Sequence, residues 1–201
     1  MSEQVTAIVL AAGAGTRMKS RRAKVLHEIG GRSMLGHALA AVRGIGAEQV
    51  VTVVGHDRDQ VEQALGQLDP QAVVAVQEQQ RGTGDAVRVA LDVLEQPAAG
   101  TFLVTYADVP LLSPQTLAAL LEEHRLAGRT VTILTSLAED PTGYGRILRD
   151  SVGEVTAIRE HKDASVEELK TREINSGILV VEGSFLNRAV RALQTDNAQG
   201  E

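Results

Sequence analysis

Apolar residues gather along this chain in short runs, separated by stretches where they recur every three or four positions. Ala7-Ile8-Val9-Leu10, Val50-Val51-Thr52-Val53-Val54, Val73-Val74-Ala75-Val76 and Phe102-Leu103-Val104-Thr105 each predict a buried strand, as do Val131-Thr132-Ile133-Leu134 and Ile178-Leu179-Val180-Val181. Between them, Leu35, Leu39 and Val42 fall on one face of a helix. So do Ala86, Val87, Ala90, Leu91 and Leu94, and then Leu117, Leu120 and Leu121. Ser113-Pro114 marks a helix start, with serine as N-cap and proline in the first turn.

Alternation of this kind predicts βαβ units: an α/β, Rossmann-like three-layer fold with a mostly parallel sheet between helices. Residues 139–171 turn polar and turn-rich, so a small lobe inserted into one domain spanning 1–201 is expected. In open sheets of this class, ligands collect outside the carboxyl ends of the strands. Chemistry-bearing residues should therefore directly follow the apolar runs.

Composition narrows the partners. Aromatic residues make up only 2% of the chain, which leaves an aliphatic core and few rings on which nucleic-acid bases could stack. The net charge of -6 gives no field to attract nucleic acid or an anionic membrane, so any phosphate site must be local. There are no cysteines, which excludes thiolate nucleophiles, thiolate metal sites and disulfides. With no signal sequence and no apolar run long enough to span a bilayer, the expected location is cytoplasmic.

The first strand runs into Leu10-Ala11-Ala12-Gly13-Ala14-Gly15-Thr16-Arg17-Met18, with Lys24 downstream. Small residues let backbone N–H groups approach an anion, while Arg17 and Lys24 add a planar fork and a mobile ammonium. A dinucleotide fingerprint fails at Met18, and no Gly-Lys-Ser/Thr closes a Walker loop. A glycine-rich strand-to-helix turn with no ligand is the bland alternative. Asp108, at the end of an apolar strand, reads either as a hard oxygen ligand for Mg2+ or as a carboxylate capping the next turn. The five histidines are scattered, with no pair at metal-ligand spacing.

Seven blocks, in order, carry a resemblance. Leu10 to Met18 with Lys24-Val25-Leu26-His27 is followed by Gln77-Glu-Gln-Gln-Arg-Gly82-Thr83-Gly84 and Tyr106-Ala107-Asp108-Val109-Pro110-Leu111. Asp140-Pro-Thr-Gly-Tyr-Gly145-Arg146-Ile147, Glu160-His161-Lys162-Asp163, Glu173-Ile174-Asn175-Ser176-Gly177 and Asn197-Ala-Gln-Gly-Glu201 complete the series. Together they resemble the sugar-phosphate nucleotidyltransferases, and more narrowly the uridylyltransferase domains of the bacterial bifunctional UDP-N-acetylglucosamine pyrophosphorylases/glucosamine-1-phosphate N-acetyltransferases.

The resemblance implies a nucleotide-diphospho-sugar transferase fold and transfer of UMP from UTP to N-acetylglucosamine 1-phosphate, a step toward cell-wall precursors. It implies that Leu10, Ala11, Ala12 and Gly13, with catalytic Arg17 and Lys24, hold the triphosphate. Gln77, Gly82 and Thr83 would read uracil, and Asp108 would hold Mg2+. Tyr106, Gly145, Glu160 and Asn175 would line the sugar subsite.

Two departures from the family pattern are local. Ala107 stands where glycine is usual, and Ala23 precedes Lys24 where proline is usual, so a slightly looser loop is expected there. A third is larger: the family's motif continues past Glu201 to a second metal-ligating asparagine and an acetyltransferase β-helix. A truncated domain is therefore expected, without the trimerisation that the β-helix would supply. Three other readings stay open: another nucleotide or sugar 1-phosphate, a binding-competent but catalytically incomplete fragment, and a dinucleotide-dependent oxidoreductase.

Overall fold

Odd and even positions of the first strand face opposite hydrophobic clusters, and this alternation sets the layering. The structure is a computed structural model describing residues 4–15, 18–96 and 99–193. In chain order its strands are β1 (Val5–Leu10), β2 (Glu28–Ile29), β3 (Arg32–Ser33), β4 (Gln49–Val54) and β5 (Val73–Val76). There follow β6 (Thr101–Tyr106), β7 (Val131–Leu137), β8 (Arg146–Arg149), β9 (Val155–Arg159) and β10 (Glu173–Glu182). The helices are α1 (Met34–Gly44), α2 (Arg58–Leu68), α3 (Gly82–Asp92), α4 (Pro114–Ala127) and α5 (Gly183–Ala192).

Ala7 and Val9 of β1 pack with Leu35, Leu39 and Val42 of α1, Val61 and Leu65 of α2, and Leu117 and Leu120 of α4. Ile8 and Leu10 pack with Ala86, Val87, Ala90 and Leu91 of α3 and with Leu186 and Val190 of α5. The result is helix, sheet and helix in three layers, with the central strands buried on both faces, as the apolar runs require.

β5, β4, β1 and β6 lie side by side and parallel in the eight-stranded sheet. β10 then pairs antiparallel with β6, and β7 and β8 pair antiparallel with β10, so six of the eight strands share one direction. β9 pairs with β8 as a hairpin. Segment 139–171 thus contributes a hairpin that extends the sheet. Ser113 caps α4 as its sequence predicts, accepting from Thr116 N at 3.1 Å, and Gly128 in the left-handed region ends the helix.

β10 is divided between two partners. Along one edge, its second half pairs with β6 from Leu179 to Glu182, while its first half meets β8 through Ile174 opposite Arg146. Between the two lies a bulge at Asn175–Leu179, with Gly177 at φ 77°. The edge of β10 that the sheet leaves open there adjoins the carboxyl end of β6.

Candidate active site

The turn after β1 is stitched to its neighbours by backbone bonds. Ala11 N donates to Val53 O at 2.8 Å, Ala107 N to Leu10 O at 2.9 Å, and the Gln80 side-chain amide to Ala12 O at 2.6 Å. Held in this way, Ala12 N–H and Gly13 N–H find no acceptor among the described residues. Gly13 has φ outside the left-handed region, and a Cβ there would meet nothing within 4 Å. Neither strain nor packing requires glycine at this position, and its backbone is open to a ligand.

These atoms open onto a cleft of about 270 Å³ at the carboxyl ends of β1, β5 and β6. It is lined by Leu10, Ala11, Ala12, Gly13, Lys24, Gln77, Gly82, Thr83, Tyr106 and Asp108, ten of the residues singled out from the sequence. Gln80, Val25 and Ala86 complete the lining. The first turn of α3, at Gly82 and Thr83, presents helix N–H groups without helical partners to the same space. Arg17 lies outside the described residues, as does the block from Asn197 to Glu201.

Lys24 Nζ donates to Asp108 Oδ2 across the cleft, and each side chain is about one-third exposed. Asp108 is the only acid among the described lining residues, and no group of three His, Asp or Glu able to hold a metal occurs among the described residues. Such a donor set cannot build an all-protein cage. It fits a hard divalent cation that shares one carboxylate and takes its remaining ligands from phosphates and water, which is how Mg2+ is commonly held. Lys24 itself follows a loop tied down by Gln60, which accepts from Ala23 N at 3.2 Å and donates to Arg21 O at 3.1 Å. Proline at position 23 could not make the first of these bonds, so the expected loosening of this loop is offset by a tether.

The other three sequence candidates lie together at the mouth of the β8–β9 hairpin. Asn175 N donates to Gly145 O at 2.8 Å, and a Cβ on Gly145 would lie 2.9 Å from Glu160 Oε1. They do not line the first cleft; Tyr106 joins the two. Its ring fills the space beside Gly177, where an added Cβ would sit 2.6 Å from Cε2 and 2.7 Å from the hydroxyl. Asn175 Oδ1 in turn accepts from Gly177 N at 2.9 Å.

Four residues of the site were not singled out from the sequence. Gln80 and Gly177 act through the contacts above. Arg146 is 1% exposed, donates to Tyr144 O and to His161 Nδ1 (3.3 Å), and its Nε has no acceptor among the described residues. Asp85 accepts from the side chains of Gln77 and Arg88. Burial opposes its charge, but the hydrogen bond from Gln77, the Arg88 guanidinium and the charge of Arg81 outweigh it and hold its pKa below the ordinary aspartate value. Gln80, Arg146 and Gly177 each sit in one of the quoted blocks and could have been flagged by it; Asp85 shows itself only through its contacts in the fold.

Comparison with known proteins matches residues 7–172 to the MobA-like NTP transferase domain family. The chain is 55% identical to the bifunctional protein GlmU of Corynebacterium aurimucosum, over 97% of this chain and 41% of that protein. It is 54% identical to GlmU of Pseudarthrobacter chlorophenolicus (96% and 40%) and 50% identical to that of Thermobifida fusca (100% and 42%). The chain thus spans about two-fifths of the length of these relatives. No described helix is long and apolar enough to cross a membrane.

Proposed function

Since the chain belongs to the MobA-like NTP transferase domain family, we propose that it transfers UMP from UTP to N-acetylglucosamine 1-phosphate. UDP-N-acetylglucosamine and pyrophosphate are the products. The observation that carries this reading is the convergence of the turns after β1, β5 and β6 on one cleft, with two backbone amides that find no acceptor among the described residues beside the Lys24–Asp108 pair. Likeness to the GlmU proteins supports the choice of nucleotide and sugar. Residues 1–201 belong to one nucleotidyltransferase domain, with 139–171 as its inserted lobe on the sugar side.

In this reading an oxygen of the sugar 1-phosphate attacks the α-phosphorus of UTP in line. One P–O bond forms, the bond to the leaving pyrophosphate breaks, and the negative charge passes to pyrophosphate. No side chain needs to become covalent, so the work is positioning and charge neutralisation. Ala12 and Gly13 N–H groups receive the phosphates together with Lys24, and Arg17 adds a bidentate contact. Bound Mg2+, held by Asp108, would neutralise charge on the phosphate oxygens. Lys24 and Asp108 offset each other's charge in the pair, and on binding Lys24 would serve the phosphates while Asp108 would serve the cation. Gln77, Gly82 and Thr83 read uracil; Tyr106, Gly145, Glu160 and Asn175 hold the amino sugar.

The test is a panel of UTP, dTTP, CTP, GTP and ATP against N-acetylglucosamine 1-phosphate and glucose 1-phosphate with Mg2+, followed by pyrophosphate release. UTP with the N-acetyl sugar should give the highest kcat/KM. Preference for dTTP or GTP would sink the uridine reading, and binding of UDP-N-acetylglucosamine without turnover would leave a binding domain only.

A further inference from the structure

Gln77 is buried, at 5% exposure, and its side-chain nitrogen is doubly committed. Nε2 donates to Gly82 O at 3.1 Å and to Asp85 Oδ2 at 2.9 Å. A backbone carbonyl and a carboxylate only accept, so neither partner tolerates the flipped amide, in which Oε1 would face two acceptors. Both N–H hydrogens of the amide are then used, and Oε1 has no protein donor among the described residues. The group that Gln77 brings to the cleft it lines is therefore an acceptor.

Asp85 is itself fixed. Arg88 Nε and Nη2 both donate to its Oδ1, at 3.2 and 2.6 Å, leaving Oδ2 for Gln77. Arg88 is steadied by Asp92 one turn on, at 2.9 Å, and Asp92 by Arg191 of α5 at 3.0 Å. A chain of bonds thus runs from the outer surface of α3 to the amide at the base end of the cleft.

We propose that Asp85, clamped by Arg88, is a positioning residue for base selection: it locks the Gln77 amide so that only Oε1 faces the base, which admits uracil and rejects cytosine. The pyrimidine N3 of uracil carries a hydrogen and donates to Oε1. The N3 of cytosine is a lone pair and meets Oε1 acceptor to acceptor, with no flip available to relieve it. Sites whose buried polar groups are left unpaired discriminate strongly against the wrong ligand. The proposal rests on the reading of Gln77 as a contact to the nucleobase.

The experiment is calorimetric titration of the full chain with UTP and with CTP, each with Mg2+, for the unaltered protein, Asp85→Asn and Arg88→Met. The unaltered chain should bind UTP at least about tenfold more tightly than CTP. In Asp85→Asn the new amide presents either its oxygen or its nitrogen, so only the Gly82 carbonyl still opposes a turn of the Gln77 amide. The ratio should then fall by about threefold or more, mainly through tighter CTP binding. Arg88→Met leaves the carboxylate but loosens it, and should move the ratio in the same direction by a smaller factor. A merely structural role would weaken both nucleotides alike and leave the ratio unchanged. An unaltered ratio in whichever variant folds, judged by its thermal transition, overturns the role of Asp85. Failure of the unaltered chain to prefer UTP overturns the uridine reading beneath it.

Discussion

Alanine at position 177 tests the junction between the two halves of the site. Gly177 has φ 77°, where a side chain costs about 1–2 kcal/mol. The new methyl would also lie 2.6 and 3.0 Å from two ring carbons of Tyr106 and 2.7 Å from its hydroxyl, an overlap that the ring relieves only by leaving its place. Overpacking of this kind costs about 1–3 kcal/mol. Gly177→Ala should therefore lower unfolding free energy by roughly 2–5 kcal/mol in urea denaturation followed by circular dichroism. The two causes separate in a Tyr106→Ala background, where the clash is gone and only the backbone cost of about 1–2 kcal/mol remains. Affinity for UDP-N-acetylglucosamine should fall in the Gly177→Ala variant, because the displaced ring stands between the nucleotide and sugar ends. A cost below about 0.5 kcal/mol, or equal costs in both backgrounds, would refute the reasoning.

Two further outcomes are expected from other parts of the structure. Lys24→Met should weaken UTP binding by about tenfold or more in calorimetry, since a charge-assisted contact to the phosphates is lost. Its unfolding free energy should stay within about 1 kcal/mol, because the pair with Asp108 is partly exposed; unchanged UTP affinity would remove Lys24 from the triphosphate site. Acid should also destabilise the fold through two carboxylates. Glu173 is held below its ordinary pKa chiefly by its hydrogen bond from Arg149, and Asp85, against the effect of burial, by Gln77 and Arg88. A depressed folded-state pKa gives stability that is complete above the unfolded value and lost as pH falls below about 4. Thermal melts over that range should show the loss, and Asp85→Asn together with Glu173→Gln should flatten it.

The parallel half of the fold was legible because its strands are buried on both faces. Ile8 and Val9 face opposite clusters yet are both apolar, so each such strand reads as a continuous run. The hairpin β8–β9 was not legible. Every residue of β9 except Ala157 is exposed, which leaves no apolar pattern to read. The first half of β10 is hidden for another reason: Asn175, Ser176 and Gly177 form a bulge beside the site, and polar bulge residues resemble a turn. α5 buries little beyond Leu186 and Val190, too sparse a stripe to stand out. At the site, residues directly following a strand could be found from order alone, as with Leu10 to Gly13 and Asp108. Gln80 grips Ala12 from 68 residues away, and the burial of Arg146, whose Nε finds no acceptor among the described residues, has no periodic signature in the sequence.

The divided edge of β10 makes the two walls of the site mechanically unequal. On the side of the turn after β1, β1 is locked between β4 and β6 over its length and buried beneath helices on both faces. On the side of Gly145 and Glu160, the hairpin joins the sheet through a single rung, Ile174 to Arg146, and its outer strand is largely bare to water. Elements with few buried contacts open at lower free energy than the core. Whatever rests on the parallel strands meets a stiff wall, and whatever rests on the hairpin meets a compliant one. Substitutions that reshape the compliant wall leave the stiff one standing, so one half of the molecule's recognition is free to change while the other stays as it is.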